Sequence, residues 1–125
     1  MEMIVLNDSD SIRVYAKKYG SDINFTGTIK VLSEIEHDPS GKFIIYHIVD
    51  GLFHREDGPA IEWESGKKYW YYEDVQHRTD GPAVIHQNGE KTWMLNGQRM
   101  SAEEHFMNLT SEQQEKAIWR INEWR

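Results

Sequence analysis

The chain has 125 residues, about one domain's worth, with 38% hydrophobic and 12% aromatic residues and a formal net charge of −7. The aromatic supply argues against a disordered, collagen-like or coiled-coil chain. The absence of cysteine excludes disulfides, thiol nucleophiles, zinc–thiolate sites and iron–sulfur clusters.

The acidity is spread: residues 1–53 carry 8 acidic and 5 basic side chains, 54–100 carry 8 and 6, and 101–125 carry 5 and 3. That balance opposes non-specific attraction to nucleic acid or anionic lipid, and it lacks the unbroken acidic rows expected of a DNA mimic. The opening Met1 to Leu6 is too short for a signal-peptide core, and no run reaches transmembrane length, so a cytoplasmic location is expected.

In chain order, Ser9-Asp10 can cap a short helix with Ile12, Tyr15, Ala16 and Tyr19 at helical spacing and Gly20 as its stop. Residues 23–36 alternate loosely and predict one or two strands. Asp38-Pro39-Ser40-Gly41 followed by Phe43 to Tyr46, running on to Asp50-Gly51, reads as a degenerate hairpin.

An internal repeat follows. His54-Arg55-Glu56-Asp57-Gly58-Pro59-Ala60 recurs farther on as His77-Arg78-Thr79-Asp80-Gly81-Pro82-Ala83. Ile61 and Val84, Gly66 and Gly89, Trp70 and Trp93, and Tyr72 and Leu95 keep the offset that separates His54 from His77. At Arg99-Met100-Ser101 the pattern stops. Each repeat predicts a hairpin, turning at Ser65-Gly66 and Asn88-Gly89. Two-residue turns there would set Ile61 against Trp70, Trp63 against Lys68, Val84 against Trp93 and His86 against Lys91, with Tyr72 and Leu95 on the core face. The opposite face would carry Glu62, Tyr69 and Tyr71, then Ile85, Thr92 and Met94.

At the end, Ser101 to Glu104 forms a capping box for one short helix. Thr110 or Ser111 caps a second, with Ala117, Ile118, Ile121 and Trp124 on one side. The expected fold is α+β. A single domain over 1–125 would comprise an N-terminal helix and strand region (1–53), an antiparallel sheet of stacked hairpin repeats of about 23 residues each (54–100) and a C-terminal helical cap (101–125).

His54 with Asp57, and His77 with Asp80, could serve as base and orienting group of a hydrolase. The duplication in front of Gly-Pro favours a structural role instead, with His54, Asp57, Gly58, Pro59, His77, Asp80, Gly81 and Pro82 holding the repeat junctions. The six histidines show no metal-ligand spacing, and there is no phosphate loop, dinucleotide fingerprint or nucleophile elbow, so neither metal nor cofactor nor enzymatic activity is expected. Glu64 should pair with Lys67 across the turn. Surplus aromatic surface at Trp63, Tyr69 and Tyr71, with Met94, points to a protein interface. Arg55, Arg78 and Arg99 could instead hold phosphates of a nucleotide signal.

The repeated H-R-x-D-G-P-A, followed by a glycine turn, a Trp and Asn96-Gly97, resembles a tandem repeat of small proteins from tailed bacteriophages and giant viruses, distantly similar to the MORN hairpin repeat. The likeness covers His54 to Ser101, and the N-terminal part departs from it. It implies a viral or mobile-element origin and a short stacked-hairpin sheet. Together these readings predict a non-enzymatic accessory protein that binds and modulates a host protein in the cytoplasm of an infected cell, for counter-defence or host takeover. A nucleotide sponge is the alternative, with a DNA mimic or hydrolase behind it. A sheet edge left open by so few repeats predicts a homodimer.

Overall fold

A computed structural model of the chain describes residues 2–7, 25–33 and 41–120. The strands are β1 (Glu2–Asn7), β2 (Gly27–Leu32), β3 (Phe43–Val49), β4 (Leu52–Phe53), β5 (Ile61–Trp63), β6 (Lys68–Tyr69), β7 (Tyr71–Tyr72), β8 (Val75–Gln76), β9 (Val84–Ile85), β10 (Lys91–Leu95) and β11 (Gln98–Met100). Two helices follow, α1 (Ala102–Met107) and α2 (Ser111–Trp119). Nine of these strands form one sheet in the order β1-β2-β3-β5-β6-β9-β10-β11, with β4 also on β3, while β7 and β8 make a separate ribbon. The fold is α+β, as expected. β1 and β2 are parallel, and the other pairings are antiparallel. The helix expected from Ile12 to Tyr19 lies outside the described residues.

Period-two alternation builds the core at the β2–β3 end. Ile29, Val31 and Ile48 are buried, with Phe25, Tyr46 and Phe53 packed against them. Burying a side chain such as Ile29 contributes about 1.5–3 kcal/mol. Farther along, Ala60, Ile61, Ala83 and Val84 are buried where the sheet continues through β5 and β9.

Two turn geometries alternate. At Asp50-Gly51, Glu73-Asp74 and Asn96-Gly97, both central residues have positive φ, which marks two-residue turns whose twist matches the strands they join. At the other end the loops hold three residues. Trp63 N–H donates to Lys67 O at 2.9 Å and Gly66 N–H to Trp63 O at 3.0 Å; His86 and Glu90 repeat the arrangement with Gly89. Gly66 and Gly89, at φ +99° and +89°, supply the left-handed residue that such a bulged turn needs.

The extra loop residue changes the register by one, which exchanges the faces. Ile61 therefore pairs with Tyr69 rather than Trp70, Glu62 with Lys68, and Val84 with Thr92 rather than Trp93. His86 meets Glu90, not Lys91. Glu64, drawn into the loop, accepts the Lys42 N–H at 3.0 Å instead of pairing with Lys67. The hairpins are not separate units either, because β6 pairs with both β5 and β9 in one continuous sheet.

The C-terminal helices lie beyond β11. Ser101 Oγ accepts the Glu104 N–H, and a full capping box joins Thr110 to Gln113. The buried His105 anchors α1 by donating from Nε2 to Arg78 O at 2.6 Å. Leu109 and Ala117 are buried, whereas Ile118, expected on the inner side, is 57% exposed. Ile121 and Trp124 fall outside the described residues. Among the described residues no helix is long and apolar enough to cross a membrane.

Candidate functional site

Each H-R-x-D-G-P-A segment leaves the sheet as a loop, spanning 54–59 and 77–82. His47 marks the first exit: its N–H donates to Ala60 O at 2.7 Å and its carbonyl accepts from His54 N–H at 3.2 Å. Trp70 does the same at the second, with Ala83 O at 2.8 Å and His77 N–H at 3.2 Å.

Inside the loops the equivalent side chains have the same tasks. His54 Nδ1 accepts the Glu73 N–H at 3.0 Å and His77 Nδ1 accepts the Asn96 N–H at 2.9 Å. The histidines thereby tie each loop to the left-handed turn of the next hairpin. Arg55 Nε donates to Asp57 Oδ1 at 3.1 Å and Nη1 to Pro59 O at 3.2 Å; Arg78 reaches Asp80 at 2.8 Å and Pro82 O at 3.2 Å. Among the described residues neither His54 with Asp57 nor His77 with Asp80 forms a dyad. Each Asp instead takes the charge-assisted bond from the arginine two positions before it. Neither Gly58 nor Gly81 has positive φ. A Cβ at Gly58 would stand 2.9 Å from Arg55 Cζ, so a side chain there would displace the Arg55 guanidinium.

The surroundings of the two arginines differ. Arg78 is buried, and its guanidinium lies 3.9 Å from the centre of the Trp70 ring. Arg55 is more open, with Nη1 3.1 Å from His47 Nε2 and 3.6 Å from Glu62. Burial holds the His47 and His77 pKa values below the ordinary histidine range, with Arg55 adding to the effect at His47. Arg55 holds the Asp57 carboxyl below its usual range. A cleft of about 470 Å³ separates the loops, lined by Arg55, Asp57, Trp70, Tyr72, Arg78 and Asp80, with Arg120 at its side. Arg99 is not part of it. It stands exposed on β11 opposite Met94. Among the described residues no group of three His, Asp or Glu is placed to hold a metal ion.

The other face carries an aromatic row. Ring centres run from Tyr46 to Phe53 (5.7 Å), Phe53 to Tyr71 (5.6 Å), Tyr71 to Tyr69 (6.3 Å) and Tyr69 to Trp63 (4.8 Å). Lys67 Nζ closes the row over Trp63 and Tyr69 at 4.6 and 5.0 Å. All five rings are half-buried. No family model, curated protein or solved structure matches this chain at a significant level. The site must speak for itself. Trp63 joins Tyr69 and Tyr71 because the changed register brings it to their face, where the sequence had set it against Lys68 on the core side; Met94 lies on β10 opposite Arg99. Tyr46 and Phe53 extend the row unannounced, although Tyr46 precedes Tyr69 by the same offset that separates His54 from His77.

Proposed function

We propose that the chain is a protein-binding module without catalysis of its own, an accessory protein of viral origin that docks and modulates a host protein through the aromatic face. The observation that carries this reading is the unbroken row of Tyr46, Phe53, Tyr71, Tyr69 and Trp63. Half-buried rings held by neighbouring rings offer large contact area with little conformational entropy left to lose. The viral origin rests on the resemblance of the H-R-x-D-G-P-A repeat. Recurrence of the two-residue turns at 50–51, 73–74 and 96–97 supports reading residues 41–100 as successive hairpin repeats of about 23 residues each. Among the described residues β1 and β11 each pair on one side only, which supports a homodimer joined along a sheet edge.

Affinity capture from host lysate tests the binding role. The wild-type chain should retain a stoichiometric partner that a Trp63→Ala/Tyr69→Ala variant loses while keeping a cooperative melt. Equal capture by both chains would remove the aromatic face from the account.

A further inference from the structure

The two loops share their internal hydrogen bonds but differ in what meets their aspartates. Asp80 uses both oxygens: Oδ1 accepts from Arg78, and Oδ2 lies 2.9 Å from Nε of Arg120 at the end of α2. Asp57 has only the first kind of partner among the described residues, Arg55, and its side chain is 87% exposed.

Charge differs in the same sense. Around the first loop Arg55 faces Asp57 and Glu62, and Glu56 stands beside His54. At the equivalent positions of the second repeat stand Thr79, Asp80 and Ile85, and there, among the described residues, Arg78 and Arg120 both meet the Asp80 carboxylate. A cleft of about 700 Å³ opens beside the first loop, lined by Thr28, His47, Val49, His54, Arg55 and Asp57. His47, Val49, His54, Arg55 and Asp57 correspond by the repeat offset to Trp70, Tyr72, His77, Arg78 and Asp80 of the cleft that Arg120 enters.

We propose that this first cleft is a guanidinium site, in which an arginine side chain takes against Asp57 the position that Arg120 takes against Asp80. A planar guanidinium suits a carboxylate already bonded to one arginine, as the second loop demonstrates, and Glu56 and Glu62 add the negative charge that the second loop lacks. The site lies on the face opposite the aromatic row and does not depend on it. The same group could come from a bound polypeptide or from a free arginine-like compound.

Titration of the full chain followed by amide NMR separates these. Nα-acetyl-arginine amide should shift the amides of Thr28 and residues 55–58 saturably, and Nα-acetyl-lysine amide should bind at least about fivefold more weakly. Asp57→Asn should abolish the response, and Glu56→Gln, an exposed change outside the loop's hydrogen bonds, should weaken it. A pentapeptide with central arginine that binds more tightly than the amide assigns the group to a polypeptide; equal or weaker binding assigns it to a free compound. No saturable shift, equal response to lysine, or persistence in Asp57→Asn would each overturn the proposal.

Discussion

Replacing Arg78 with Ala asks most from the repeat loops. Its guanidinium is bonded to Asp80 at 2.8 Å and to Pro82 O at 3.2 Å, and it covers the Trp70 ring at 3.9 Å, all with 7% of the side chain exposed. A buried bond to a charged group contributes about 1.5–3 kcal/mol, and a desolvated cation–π contact about 1–2 kcal/mol. Asp80 keeps Arg120 after the change, which limits the loss on its side. The expected cost is about 3–4 kcal/mol, or a melting temperature lower by roughly 10–15 °C for a chain of this size. Arg55→Ala removes the same bonds from an open loop, where solvent already screens the Asp57 partner, and should cost clearly less. Arg78→Lys should recover part of the loss because the charge returns without the fork. Urea melts of the three variants measure this directly. Equal destabilisation by Arg55→Ala and Arg78→Ala would refute the argument that burial sets the strength of the motif.

Three further outcomes follow from the same contacts. Burial holds His47, His77 and His105 below the usual histidine pKa of 6.5, so on acidification the unfolded chain takes up protons that the folded chain refuses. Stability should be full above about pH 6.5 and fall as the pH drops below it, and a urea midpoint unchanged between pH 7.5 and 5 would contradict this. Glu73 holds φ at +48°, a region that Asn tolerates better, so Glu73→Asn should raise stability by about 0.5–1 kcal/mol in the same melts. Light scattering should give twice the 14.8 kDa chain mass at high micromolar concentration, and a monomer mass there would exclude the edge-joined dimer.

Much of the fold was legible because the repeat offset is written in residues whose backbone demands are strict. Gly66 and Gly89 located the turns, and Ser101 and Thr110 located the helix starts. The register was not legible. A Ser-Gly or Asn-Gly pair can fill a two-residue turn or end a three-residue one, and nothing local in Glu64 or Gln87 decides between them. That single residue sent Tyr69, rather than Trp70, to the side of Ile61. The site was read in part for a related reason. Trp63, Tyr69 and Tyr71 are neighbours along the chain, whereas Tyr46 joins through β3–β5 pairing and Phe53 through the β3–β4 turn. Asp80's second partner, Arg120, comes from the far end of α2, beyond the reach of any periodicity.

Amide hydrogen exchange of the chain, alone and bound to its captured host partner, locates the docking face. Protection should rise in β3, β5 and residues 68–72, around Tyr46, Trp63, Tyr69 and Tyr71. Protection confined to the loops 54–59 and 77–82, or to α1 and α2, with those strands unchanged, would contradict docking through the aromatic face.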